Sequence, residues 1–218
     1  MDNIRICFVL ALSIYGFLFT QHIAAMGLMS GGYSESQNSL QEFKRRFNEL
    51  RNDALFRSVD EEDDALYSGY YAGSQNSLQE FKRRLVEIGS DADFRSIVGS
   101  RIALYSGCYA GSKNTLQEFK RRVNEIENDG DFRDNTFLVF YYGHYAGSQN
   151  SLLEFKERLV EIMDDNEFRN IAASDAVFNY GKYAGSRNSL REFKRRFNEI
   201  KNDNDFRAIV GDDAHLYY

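Results

Sequence analysis

One phrase recurs five times along this chain, and the recurrence constrains the fold more than any other property. Asn38, Asn76, Asn114, Asn150 and Asn188 stand at spacings of 38, 38, 36 and 38. Each opens nearly the same stretch, from Ser39-Leu40-Gln41-Glu42-Phe43-Lys44-Arg45-Arg46 to Ser189-Leu190-Arg191-Glu192-Phe193-Lys194-Arg195-Arg196. A fixed period of this size marks a stacked array whose units bury their apolar faces against their neighbours. The units run 31–68, 69–106, 107–142, 143–180 and 181–218, and residues 26–30 form a short segment before them. They predict one elongated domain over 31–218 rather than two compact ones.

Within each unit the first element reads as a helix. Ser39 and Glu42 form a capping box, in which the hydroxyl and the carboxylate each satisfy an otherwise orphaned amide. The pair recurs as Ser77/Glu80, Thr115/Glu118, Ser151/Glu154 and Ser189/Glu192. Leu40, Phe43, Phe47 and Leu50 then trace one face of an α-helix. A second element begins at an acidic turn and carries the Phe-Arg pairs at Phe56, Phe94, Phe132, Phe168 and Phe206. The stretch after it, such as Ala103-Leu104-Tyr105-Ser106, reads as a continuation or as a short third helix. Gly69, Gly107, Gly143 and Gly181 suit helix C-caps, and Tyr71-Ala72-Gly73-Ser74 and its copies read as a loop to the next unit. The absence of proline in 218 residues agrees with an all-helical array. The predicted fold is all-α, an α-solenoid of five units with two or three helices each.

The first residues read differently. A weakly polar to apolar run from Ile6 to Phe19 is followed by small residues at Ala24 and Ala25, the pattern of a secretory signal over 1–25. It is too short for a membrane span, and no other segment is apolar enough for one. Removal of the signal takes Cys7 with it and leaves Cys108 as the lone cysteine, so no internal disulfide is expected. The net charge of −6 argues against nucleic acid or an anionic membrane as partner.

Candidate functional residues come in repeated sets. Arg45, Arg83, Arg121 and Arg195 lie opposite the apolar stripe and would lay a basic ladder along one face, interrupted by Glu157. They read either as a groove for an acidic partner or as solubilising charges balanced by Glu42 and Glu49. Tyr33, Tyr71, Tyr109, Tyr145 and Tyr183 read either as repeated partner contacts or as wedges between units. The acidic pairs, such as Asp91/Asp93, suit helix N-caps better than calcium, which needs more oxygens. The variable segment after each Phe-Arg pair is either a recognition surface or a loosely constrained connection. With His144 and His215 at unrelated positions there is no catalytic constellation, no metal site and no cofactor motif. Cys108 shares its position with Tyr70, His144 and Lys182 and reads as a tolerated surface site.

A signal at Met1 to Ala25 followed by five copies of Asn-Ser-Leu-x-Glu-Phe-Lys resembles the secreted salivary effectors of plant-galling insects, which include tandem-repeat proteins. The resemblance implies secretion, delivery into a host and a non-enzymatic virulence or avirulence role through binding of a host protein. The alternative is a self-associating structural secretion such as silk, glue or coat, for which repetition and abundant Tyr would serve; a small-ligand carrier would need an enclosed cavity, which solenoids this short rarely provide.

Overall fold

A computed structural model describes residues 24–54, 56, 61–98, 102–132, 139–173 and 176–211. Among them the chain is all-α, with thirteen helices and no strand. The expected signal falls largely on residues 1–23, outside the described residues. Ala24 and Ala25 instead open the first helix, α1 (Ala24–Glu35). No described helix is long and apolar enough to cross a membrane.

Five helices begin at the capping boxes: α2 (Leu40–Arg51), α4 (Leu78–Ser90), α7 (Leu116–Glu127), α9 (Leu152–Asp164) and α12 (Leu190–Lys201). Each is entered from an extended Ser or Thr whose side-chain oxygen accepts from the amide of the Glu three residues on, as from Glu42 at 3.2 Å. The expected stripe is the buried face: Phe43, Phe47 and Leu50 in α2, and Phe119, Val123 and Ile126 in α7. Three short helices carry Phe-Arg pairs: α5 (Ala92–Val98), α10 (Asn166–Ala172) and α13 (Asn204–Gly211). Their Phe residues are core; Phe94 packs edge-on to Tyr105 and Phe119 with ring centroids 5.9 and 6.0 Å away.

The stretches read from sequence as C-caps and loops are helices. Residues 69–73 end α3 (Glu61–Gly73), and their copies end α6 (Ile102–Gly111), α8 (Val139–Gly147) and α11 (Ala176–Gly185). The glycines there serve close helix packing. A Cβ on Gly107 would lie 2.3 Å from the Tyr70 ring, and one on Gly73 would lie 2.8 Å from the Gly32 carbonyl oxygen. Glycine four residues apart lets two helix backbones touch, a use that overrides its low helix propensity.

These Gly/Tyr helices contact one another in cyclic order: α1 with α3, α3 with α6, α6 with α8, α8 with α11, and α11 with α1. Each capped helix packs outside on the Gly/Tyr helix that follows it in the chain, α2 on α3, α4 on α6, α7 on α8 and α9 on α11. The last, α12, packs on α1. The expectation of an elongated array is therefore corrected, because among the described residues α11 and α12 pack back on α1.

The joint between the ends reproduces the joints within. Arg84 donates to the Tyr109 carbonyl at 2.8 Å, to Ser112 Oγ at 3.1 Å and to the Asn114 carbonyl at 2.6 Å. Across the closure Arg196 donates to the Tyr33 carbonyl at 3.0 Å, to Ser36 Oγ at 2.9 Å and to the Asn38 carbonyl at 2.5 Å. Lys120 pairs with Asp91 at 2.8 Å, and across the closure Lys44 pairs with Asp203 at 2.9 Å. Asn76 binds the Ala110 carbonyl at 2.7 Å as Asn188 binds the Ser34 carbonyl at 2.7 Å. The Arg and Asn side chains cap carbonyls at the C-terminal end of each Gly/Tyr helix, groups that a helix leaves unsatisfied. A joint that turns the chain by the same amount each time completes a circle when the turns sum to one revolution, and here five do.

Candidate functional site: the axis of the ring

The sequence-expected site residues lie on or beneath the outer helices. Arg45 is 58% exposed and donates to Glu42 at 2.8 Å and to Glu49 at 3.2 Å. Arg83, Arg121 and Arg195 repeat both pairs. Two carboxylates thus face each guanidinium, so the row carries no net basic field. The five Tyr residues are core, each about 1% exposed. Their hydroxyls donate to carboxylates of the capped helices, Tyr71 to Glu49 at 2.9 Å, Tyr109 to Glu87 at 2.8 Å and Tyr33 to Glu199 at 2.9 Å. Buried Arg side chains stack over the rings, Arg46 at 4.1 Å from Tyr71 and Arg196 at 3.9 Å from Tyr33. Of the two readings for these tyrosines the wedge between units describes their placement, because a buried ring has no surface to offer. The acidic turns do cap: Asp91 accepts from the Phe94 amide at 2.7 Å and also holds Lys120.

The residues that gather in one place are those next to the tyrosines. Gly32, Tyr70, Cys108, His144 and Lys182 share one repeat position and, lying on five helices in a ring, converge on its axis. The Cys108 thiol donates to the Tyr70 hydroxyl at 3.1 Å. The Tyr70 and His144 rings lie 5.9 Å apart, and Lys182 Nζ lies 5.5 Å from the centre of the Tyr70 ring. All are buried, Cys108 at 6% exposure and Lys182 at 2%. The reading of Cys108 as a surface site is thereby corrected: the segment that carries it is an inner helix, not a loop.

Burial sets the charge states of this cluster. It pushes the Cys108 thiol up to about 12, although the Tyr70 bond opposes the shift. It pushes His144 down to about 3, helped by the positive charge of Lys182. It also raises Tyr70 and lowers Lys182, the latter against the pull of Glu35. Glu35 is raised by burial to about 7, with Lys182 opposing. A thiol and an imidazole held uncharged side by side in this way are hydrogen-bonding groups, not a thiolate with its base.

Above the cluster the ring opens into a cavity of about 340 Å³, near the lower end of the roughly 300–1,000 Å³ typical of small-molecule sites. Glu35, Gly73, Gly111, Gly147 and Gly185, the last residues of the five inner helices, all line it. Five helix C-termini therefore converge there, the negative end of each dipole met by an arginine. Tyr70, Cys108 and His144 line its floor, and Gln37, Gln75, Lys113, Gln149 and Arg187 occupy the positions just beyond the helix ends. Three of these follow one pattern: Gln37 donates to Asn188 at 2.6 Å, Gln75 to Asn38 at 2.6 Å, and Gln149 to Asn114. Among the described residues no group of acidic, His or Cys side chains is arranged to hold a metal.

Sequence reasoning missed Glu35, Tyr70, His144 and Lys182 as members of one site. The signal was present, since one position carried five different residues inside an otherwise constant phrase, but only the closed ring brings those positions together. No family model matches this chain, and neither the curated proteins nor the solved structures yield a match.

Proposed function

We propose that this is a secreted binding protein in which five helical units, an α-solenoid bent until its ends meet, hold a small polar molecule in the cavity on their axis. The single observation that supports the reading is that the last residue of every inner helix lines that cavity. An open array of this length would have no axial cavity, whereas a ring creates one, open to solvent on one side, and lines it with Tyr70, Cys108 and His144. The outer surface offers less to a partner: its repeated arginines are matched by carboxylates and its repeated tyrosines are buried. Within the resemblance to salivary effectors, this reading replaces a host protein by a small molecule as the captured species.

The test is to titrate a library of small polar metabolites into the purified protein and follow backbone amide resonances. Binding on the axis shifts Gly73, Gly111, Gly147 and Gly185 and leaves the capped helices unchanged. Shifts confined to α2, α4, α7, α9 and α12, or no shift with any compound, would overturn the reading.

A further inference from the structure

Three charged residues break the five-fold pattern around the cavity, and together they describe a ligand. The first is Glu35, the residue at the helix end where the other four copies have Gly73, Gly111, Gly147 and Gly185. It adds one carboxylate on the axis, where the carbonyls of the helix ends are already bonded by arginines. The other two are Lys113 and Arg187, which stand where the remaining copies have Gln37, Gln75 and Gln149. Each of those Gln side chains is bonded sideways to an Asn, closing its part of the rim. Neither Lys113 nor Arg187 is bonded to another described residue. One carboxylate, that of Glu35, thus lies at the helix ends, and two cations stand just outside it.

Resting on the cavity reading above, we infer that the ligand is a small zwitterion of the amino-acid type, its ammonium turned inward to Glu35 and its carboxylate held at the rim by Lys113 and Arg187. An amine without a carboxylate meets the two rim cations unfavourably, and a carboxylate without an amine meets Glu35. A dipolar molecule satisfies both ends at once. Of the groups facing Glu35, His144 is held neutral and Tyr70 and Cys108 are uncharged, while Lys182 is a competing cation whose charge burial disfavours and Glu35 favours. The ligand's ammonium would draw Glu35 down from its raised value, so binding releases a proton near neutral pH.

The repeat itself supplies conservative variants. Glu35→Gly, Lys113→Gln and Arg187→Gln each install the residue found at the same position in other copies, so each is compatible with the ring. Calorimetric titration of the purified protein would use glycine, β-alanine and γ-aminobutyrate as probes, with butylamine and butyrate as controls. One zwitterion of the series should bind at least about tenfold more tightly than either control, the scale of one charge-assisted bond. Glu35→Gly, and the double replacement at Lys113 and Arg187, should each weaken it by about tenfold or more. Butylamine or butyrate binding as tightly as the zwitterion, or binding that survives Glu35→Gly, would overturn the ligand class while leaving the axial site in place. Absence of heat with every probe, together with metabolite-induced shifts at the helix-end glycines, would also overturn the class. Absence of both would remove the site itself.

Discussion

Arg46, Arg84, Arg122, Arg158 and Arg196 all bond the end of the next inner helix, each through the carbonyls of a Tyr and an Asn. Tyr70, Cys108, His144 and Lys182 share a place but not a chemistry: a thiol bonds the Tyr70 hydroxyl, an imidazole lies tilted to its ring and an ammonium lies over its face. The first set lies where one unit meets the next, and the second lies where all units meet at once. A joint used five times has five similar answers, because the turns must together sum to one revolution. The axis exists once and is under no such demand. Repetition therefore carries the scaffold in this molecule, and departure from repetition marks the place where a single ligand can be specified.

The strongest way to break that division is at the repeated core. Phe94 is fully buried between Tyr105 on the inner helix and Phe119 on the next capped helix. Phe94→Ala should cost about 3–5 kcal/mol, the range for a truncated buried Phe, read as a fall in the urea midpoint. A cost below about 1 kcal/mol, the scale of ordinary substitutions, would mean that the repeated positions do not carry the scaffold.

Next in size come the buried arginines. Arg122→Ala leaves the Tyr145 and Asn150 carbonyls without the guanidinium that bonds them at 2.8 and 2.6 Å. The loss of charge-assisted bonds to buried acceptors should cost about 3 kcal/mol. Arg196→Ala sharpens the comparison, because it removes the same bonds at the closure. If that joint equals the others, the two variants lose similar stability. Hydrogen exchange should then distinguish them, with only Arg196→Ala exposing α1 ahead of global unfolding. Equal protection of α1 in both would contradict closure through Arg196.

How much of this was legible in the sequence divides along the same line. The capped helices could be read because their information is local: Ser39 and Glu42 are three residues apart, and the Phe43, Phe47 and Leu50 stripe is one helix face. The inner helices could not, because Gly69-Tyr70-Tyr71-Ala72-Gly73 has turn-like residues at both ends and no polar face to give it a helical period. Its helicity is imposed by backbone contact with α1 and α6, which no local pattern encodes. Closure was equally hidden, since Arg196 and Tyr33 are 163 residues apart and each resembles its copies. The acidic turns were half legible; capping by Asp91 is local, but the ion pair with Lys120 on the following capped helix is not. The axial site was invisible as a site, although Tyr70, Cys108, His144 and Lys182 were visible as a variable position.

The axial residues make a smaller and more particular prediction, in pH. Glu35 is raised in the folded protein, so its contribution to stability is present below its ordinary value near 4.5 and is lost as pH rises through about 7. His144 is lowered, so its contribution is present above its ordinary value near 6.5 and is lost as pH falls toward about 3. The two slopes oppose each other between those limits and partly cancel. Glu35→Gly should leave only the His144 slope, with stability falling on acidification, and His144→Gln should leave only the Glu35 slope, with stability falling toward neutrality. Thermal midpoints from pH 4 to 8 would measure both, and parallel curves for the two variants would rule out opposed burial of these groups.

The smallest effect belongs to Arg83, and it decides what repetition means. Arg83 recurs in four of the five copies and Arg84 beside it in all five, yet Arg83 is 57% exposed and meets Glu80 and Glu87 in solvent, whereas Arg84 is buried under the ring of Tyr109. Exposed ion pairs gain little once water screens them. Glu87 has a second task, accepting from the Tyr109 hydroxyl at 2.8 Å, and Arg83 does no more than help to orient it. Arg83→Gln should therefore leave the urea midpoint unchanged within error, while raised salt lowers stability equally in variant and parent. A measurable loss, abolished by salt, would show that the outer charges act as one network around the ring. The repeated surface would then join the repeated core as part of what holds the ends together.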